Sequence, residues 1–544
     1  MLVEPEDTLG SLLVRRANEP STSPFLLWSG GEYSYAQLFE SASDLARAFV
    51  SRGVGVGDNV VVWLPNCLEW VIVEMATALV GATLVPLNVR LRPRELHYML
   101  VASNPRILVM MSNFMNQDFE RVTGEAFTDF WAADADFAQM RLPELQGVIG
   151  LGPRDLPGSE RWLDVVQSGK TTDEILVGTL GTQRSTDPML VVWTSGTTSA
   201  PKAALLDHRG LPAIAQWFDV LGYSAEDRTV VSMPLYYIAA HYYGLLGGLL
   251  AGGSIILGQK LDTAETLSSI SRFKGTMLLG GPSSYLSLLE HPGHDSHDLT
   301  SLRRGYVGGA VVTPPQVRAI REELGVRGLV QVYGMTETHG VVTSTRPGVS
   351  DEELALTVGA PLEGVEIKVV DVDSRDTVPT GEPGEMLIRG RTISSYMNLT
   401  SDEQASSWDG DWFRSGDLMS IDGSGIARIR GRIKDVIKSG GENVAAAEVE
   451  DLIRSSDLVE EAAVVGIPDR KRGEVVAAAV QFRPNAGSTA SDELLAWLKP
   501  QLAPFKVPRQ ILVVEQPADW PRNVSHKIVK TVVRERILAR QEST

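Results

Sequence analysis

Apolar positions along the chain change period in a way that outlines an architecture. From Ser34, with Gln37 three residues on in the pattern of a capping box, Leu38, Ala42, Leu45 and Phe49 fall on one helical face. Gly53, Gly55 and Gly57 make a turn into the apolar run 60–63, a strand ended by Pro65-Asn66. Residues 69–80 read as a helix with Gly81 as its C-terminal cap, and 83–85 as the next strand. Strand, helix and strand joined by short turns predict a parallel sheet with right-handed crossovers. The alternation resumes with strands at 189–192, 229–233, 254–257, 276–279, 306–307 and 329–332, and helices at 263–273, 283–289 and 314–323. Between these regions, 112–185 shows few clear periods and is expected to be a mixed segment. From 359 to 429 the period falls to two, as in 365–370 and 385–388, which predicts a β-rich subdomain. The final stretch carries helix signals at 447–453 and 492–502 and strand signals at 462–466, 475–482 and 511–514, enough for an independent α+β unit. The expected fold is α/β with a β-rich subdomain: a large domain over 1–431, a linker at 432–435 and a small domain over 436–544.

Composition narrows the functional classes. The 544 residues are 43% hydrophobic and 22% charged, the balance of a water-soluble globular protein of more than one domain. A net charge of −18 argues against nucleic-acid binding, while leaving room for a local basic site for a phosphate-rich ligand. The single cysteine, Cys67, rules out an internal disulfide and suits a reducing compartment. The N-terminus lacks a basic start followed by an apolar core, so a cytoplasmic protein is expected. The most apolar stretch, 242–258, is short for a membrane span. Its six glycines suit a buried helix, a turn and a buried strand better.

Candidate chemistry begins where the strand 189–192 ends, at Trp193-Thr194-Ser195-Gly196-Thr197-Thr198-Ser199-Ala200-Pro201-Lys202. Hydroxyls and backbone N–H groups in such a turn can surround phosphate oxygens, and the lysine adds charge. The spacing is not that of a mononucleotide P-loop, and alone it reads equally well as a polar surface loop. Three later stretches change this: Tyr333-Gly334-Met335-Thr336-Glu337, Trp412-Phe413-Arg414-Ser415-Gly416-Asp417, and Gly431-Arg432-Ile433-Lys434-Asp435 leading to Ser439-Gly440-Gly441-Glu442-Asn443. In this order and at these distances the set resembles the ANL adenylating superfamily, from about Tyr33 to Lys527, and within it the acyl-CoA synthetase branch.

The resemblance implies a two-step ligase that joins a small carboxylic acid to AMP and then to a thiol. Its ligands would be ATP or acyl-AMP, Mg²⁺ and coenzyme A, with no nucleic acid or membrane span, and a homodimer is expected. By the same resemblance, Thr194, Ser195, Gly196, Thr197, Thr198 and Lys202 would surround phosphates. Tyr333, with Gly308, Gly309 and Ala310, would hold adenine. Asp417 would accept both ribose hydroxyls, and Arg432 would contact the ribose. Thr336 would touch the α-phosphate and Glu337 would ligate Mg²⁺, a hard cation suited to carboxylate oxygen. Lys527, in Ser525-His526-Lys527-Ile528, would bridge carboxylate and α-phosphate. The small domain would rotate at Lys434, and Lys438, Ser439, Gly440 and Gly441 would line the thiol tunnel. Arg470, Lys471 and Arg472 read either as a site for the CoA phosphates or as a solvated loop. Tyr236, Tyr237, His241, Gly281 and Gly308 would form the acyl pocket, where the run 234–240 has no acid to hold an amine. An apolar, bulky acid is therefore favoured. His241 reads either as an orienting or thiol-activating group or as a packed core histidine.

The chain departs from the family pattern where glycine is usual: Ser199 and Ala203 in the phosphate loop and His526 before the lysine. The usual proline near Ala446 is missing, and Ser415 stands for threonine. A side chain at a left-handed backbone position costs about 1–2 kcal/mol, so an impaired adenylation step is expected, with thioesterification of preformed acyl-AMP kept. A luciferase-like oxygenase, a carrier-loading adenylation protein and a catalytically silent adenylate binder are the alternatives.

Overall fold

The computed structural model describes residues 3–542, except 21–22, 133–134, 172–179, 195–200, 261, 310–311, 391–394, 440–441, 470–471, 485 and 524–526. The chain forms two compact units, Met1–Glu366 with Arg389–Asp411 and Ile367–Ile388 with Trp412–Thr544.

In the first unit the helix Leu68–Val80 (α1) is buried at every position from Trp70 to Val80, as a sequence apolar all round requires. Gly81 caps it with φ 73°. Just before α1 lies Cys67, whose thiol burial pushes well above the usual range. The strands Pro188–Thr194 (β1) and Lys202–Asp207 (β2) form an antiparallel pair, the strand Gly328–Met335 (β3) ends in the tyrosine–glycine motif, and Ser395–Tyr396 (β4) is a two-residue edge strand.

Two sheets contain these strands. One runs β4, β2, β1, Thr83–Pro86, Asn59–Trp63, Ile107–Met111, Gly147–Leu151, Glu160–Arg161. The other runs Ala360–Pro361, Gly340–Ser344, β3, Arg304–Gly308, Met277–Gly280, Arg228–Val231, Ser254–Leu257, Leu26–Trp28, Gly31–Tyr33. The second is parallel from β3 to Leu26–Trp28. The carboxyl ends of its strands are therefore neighbours, and ligands of open α/β sheets bind at such ends.

The apolar stretch 242–258 has the expected glycine turn and buried strand, but its helical part is more complex. Ile238–Ala240 is followed by a π-helical turn, His241–Leu246, and then by Gly247–Ala251, before Gly252 turns into Ser254–Leu257. The mixed segment contains a sheet strand, Gly147–Leu151, and the helices Phe119–Ala126 and Trp162–Ser168.

In the second unit residues 384–388 of the strand Gly384–Gly390 pair antiparallel with Trp412–Ile421 (β5), which pairs with Ala427–Arg432 (β6). A further sheet, Glu442–Ala445, Val436–Ser439, Gly473–Phe482, Val459–Asp469, gains Gln510–Val513 as a parallel partner of Gly473–Phe482. Apolar clusters lie about this sheet, one including Val449, Ile453 and Leu494, the other Trp520, Val533 and Ile537.

Candidate functional site

The hydroxyl-rich loop leaves β1 at Thr194 and returns at Lys202, its register partner. The Thr194 hydroxyl donates to the Lys202 carbonyl at 3.4 Å. Ser195, Gly196, Thr197, Thr198 and Ser199 lie outside the described residues. Ala203 does not: it stands buried in β2 opposite Trp193, and it is absent from the non-glycine residues with positive φ. The left-handed penalty expected of an alanine there does not arise. Its N–H donates to Asn398 Oδ1 at 2.9 Å, and its carbonyl accepts from the Met397 N–H at 2.8 Å. The Asn398 amide also donates to the Pro201 carbonyl at 2.9 Å and the Tyr98 hydroxyl at 2.8 Å. The segment 395–398 therefore fastens the return of the loop, a role that no motif marked.

At the carboxyl ends of the parallel strands, Gly281 follows Met277–Gly280, Gly308 ends Arg304–Gly308, and Tyr333 lies buried near the end of β3. A Cβ on Gly308 would meet Val332 Cγ2 at 2.8 Å, so close strand approach requires glycine there. Gly309 needs it for a different reason, φ 73°. Ala310 lies outside the described residues. After β3, Thr336–Thr338 makes a single 3₁₀ turn that carries Thr336 and Glu337. Glu337 Oε1 accepts a hydrogen bond of 2.7 Å from the Tyr396 hydroxyl, and Lys202 Nζ lies 5.1 Å from the centroid of the Tyr396 ring. Among the described residues no three His, Cys, Asp or Glu side chains converge as a metal cage. One carboxylate is nonetheless the donor set that suits Mg²⁺ carried by a triphosphate, which supplies further oxygens itself.

The Tyr236 and Tyr237 rings pack 4.7 Å apart, and burial, helped by Tyr237, raises the Tyr236 hydroxyl above its ordinary range. His241 is 1% exposed. Its Nε2 pairs with Glu74 Oε1 of α1, and the Trp70 ring meets it edge-on at 5.3 Å. His241 Nδ1, Glu74 Oε2 and the Tyr242 hydroxyl are buried without a hydrogen-bond partner among the described residues. Glu74, one of two carboxylates of α1 with Glu69, was marked by no motif.

In the second unit Asp417 on β5 is buried beside its β6 register partner Arg432, with Nε to Oδ1 at 3.1 Å. Its N–H donates to the Ser415 hydroxyl at 3.1 Å, and that hydroxyl donates to the Met386 carbonyl at 2.6 Å. Serine thus makes the contact for which a threonine hydroxyl would serve. The side chain of Lys527 reaches solvent, yet the protein around its ammonium and the nearby Arg432 push its pKa below the usual lysine range, with Asp417 pulling back. The backbone at Lys527 is pinned by reciprocal bonds with Asn523, of 3.0 and 2.9 Å. Lys434 lies in the 3₁₀ turn Ile433–Asp435 and Lys438 in the strand Val436–Ser439. Ser439 is buried, and its hydroxyl has no partner among the described residues. Arg472 is exposed, with its N–H held by Asp469 Oδ1 at 2.8 Å. Gly440, Gly441, Arg470, Lys471 and His526 lie outside the described residues.

The chain belongs to the AMP-binding enzyme family, in the acyl-CoA ligase branch of the ANL superfamily. The AMP-binding enzyme model matches residues 13–396 and its C-terminal-domain model residues 448–527. The chain is 30% identical over 511 residues to the putative acyl-CoA synthetase YngI of Bacillus subtilis (strain 168), covering 93% of this chain and 92% of that one. It is 32% identical over 514 residues to the mitochondrial medium-chain acyl-CoA ligase ACSF2 of Rattus norvegicus, covering 93% and 83%. Among solved structures, the anthranilate CoA ligase AuaEII in complex with anthranoyl-AMP superposes with TM-score 0.85 at 26% identity, covering 99% of each chain. Enzymes of this branch join carboxylic acids to coenzyme A at the expense of ATP. Among the described residues no helix is long and apolar enough to cross a membrane.

Proposed function

We propose that this protein makes acyl-CoA from a bulky apolar carboxylic acid in two steps. In the first, a carboxylate oxygen attacks the α-phosphorus of ATP and pyrophosphate leaves. In the second, the CoA thiolate attacks the acyl carbonyl, and AMP leaves with the electron pair of the cleaved C–O bond. The observation that carries the reading is the grouping of Lys527, Arg432 and Asp417 in the second unit. Asp417 offers the paired acceptor that ribose hydroxyls need, and Arg432 and Lys527 would neutralise carboxylate and phosphate charge. Glu337 would hold Mg²⁺, which when bound shields the pyrophosphate leaving group, while Thr194, Lys202 and Thr336 contact phosphate oxygens. Small residues at Ala239, Ala240, Gly281 and Gly308 favour a ring-bearing or long acid over acetate, and the anthranilate ligase, named for an aromatic acid, supports that size.

The expectation of an impaired first step loses one of its grounds. Ala203 sits in a regular strand, so only Ser199 and His526 remain as grounds, and both half-reactions are taken as active. The small domain turns about Lys434 between the steps, the chain works as a cytoplasmic homodimer, and Ser439 faces the thiol path; each belongs to this proposal.

The test separates the steps. Pyrophosphate release from ATP with a panel of acids is compared with CoA consumption from synthetic acyl-AMP, in wild type and Lys527→Ala. Loss of the lysine should slow pyrophosphate release about a hundredfold or more and leave thiolysis largely intact. Equal loss of both steps refutes the role of Lys527. Preference for acetate refutes the pocket reading, and transfer of an amino acid to a carrier protein, or acid-dependent oxygen uptake without CoA, refutes the proposed reaction.

A further inference from the structure

We propose that Tyr396 is a positioning residue for adenylation, holding Glu337 with its hydroxyl and seating Lys202 on its ring. The inference rests on the two-step reading above. β4 is only two residues long and sits at a sheet edge. Tyr396 is nevertheless 7% exposed and has polar contacts at both ends. Its hydroxyl donates to Glu337 Oε1 at 2.7 Å, a charge-assisted bond. Lys202 Nζ, 5.1 Å from the ring centroid, is within cation–π range.

The two charges come from different sheets. Glu337 follows β3 of the nine-stranded sheet, and Lys202 begins β2 of the eight-stranded one. Tyr396 touches both. It is itself tied to β2 by the pairing Ala204↔Tyr396, and the next two residues bond Ala203 and Pro201. The segment therefore fixes the end of the phosphate loop and, through one phenol, the carboxylate proposed to carry the metal. Losing that bond removes one restraint on the Glu337 carboxylate, and a metal–triphosphate complex would then meet it less well positioned. Neither contact concerns the acyl carbonyl or the thiol, so the consequence should fall on the ATP step alone.

Tyr396→Phe keeps the ring and removes the hydroxyl; Tyr396→Leu removes both contacts. Mn²⁺ binding is titrated by electron paramagnetic resonance in the presence of a non-hydrolysable ATP analogue, alongside ATP–pyrophosphate exchange, thiolysis of synthetic acyl-AMP and thermal melting. Tyr396→Phe should bind Mn²⁺ in the nucleotide complex about tenfold more weakly, the size of losing one hydrogen bond to a charged group. Its exchange reaction should need correspondingly more Mg²⁺, with the KM for ATP little changed at saturating metal. Tyr396→Leu should also raise that KM, and both should retain thiolysis. Wild-type Mn²⁺ affinity in Tyr396→Phe overturns the inference, as does equal loss of both half-reactions with a lowered melting temperature. Absence of exchange in the wild type would refute the two-step reading instead, and the Mn²⁺ titration would still decide the role of Tyr396.

Discussion

Two buried imidazoles set a pH dependence that single substitutions can isolate. His339 sits in a left-handed conformation, φ 55°, and burial, helped by Arg209, pushes its pKa from 6.5 down to about 3. His208 accepts the Leu9 N–H on Nδ1 at 3.1 Å, and burial takes it down to about 4 against the pull of Asp187. Both stay neutral in the folded state while the unfolded chain takes up protons below about pH 6.5. Their contribution is complete above that pH and is lost as pH falls toward the folded values. At pH 5 the loss is about 2 kcal/mol for each. The melting temperature should fall between pH 7 and pH 5, and His339→Asn, whose side chain tolerates the left-handed region, should flatten that fall. An unchanged profile in both His339→Asn and His208→Asn would show that other groups titrate. Motif reasoning could name Tyr333 and Glu337 because they sit in one short block after a strand. It could not name Tyr396, Asn398 or Glu74. Their partners are far away in sequence, and a lone tyrosine or glutamate looks the same whether it faces water or another side chain.

Among elements, the π-helical turn and the glycine pair after it are where packing overrides propensity. Alanine in place of a helical glycine ordinarily stabilises by about 1 kcal/mol. At Gly247 a Cβ would lie 2.1 Å from Cζ of Phe218, a buried ring held by Trp217 and Tyr223. Overpacking of this kind costs about 1–3 kcal/mol, so the clash should win. Gly247→Ala should lower the midpoint of chemical unfolding, and a raised midpoint would mean that the ring yields freely. The parallel strands were legible because each is a short unbroken apolar run. Gly147–Leu151 was not, since Gly147 and Gly150 interrupt its run. The π turn was hidden for another reason. Its residues have the same apolar pattern as an α-helix, and the extra residue per turn is decided by what packs around it.

For the molecule as a whole, period and turn chemistry announced an α/β sheet system followed by strands and an α+β segment. They could not say which neighbours a strand would choose, because pairing partners are set by contacts distant in sequence. Thus 367–388 and 412–431 are strand-like in sequence, but only the fold groups them with the C-terminal residues. Cys67 has a consequence on this scale. It is the chain's lone thiol, it is buried, and the surroundings disfavour its thiolate, so alkylating reagents should reach it only when the start of α1 opens. With reclosing faster than modification, the labelling rate reports the population of that open form. Saturating ATP should slow labelling in proportion to its affinity if opening dissolves the nucleotide site, and leave it unchanged if α1 opens alone. The unmodified protein thus carries its own clock, and mass spectrometry of one peptide is enough to read how often the first unit comes apart.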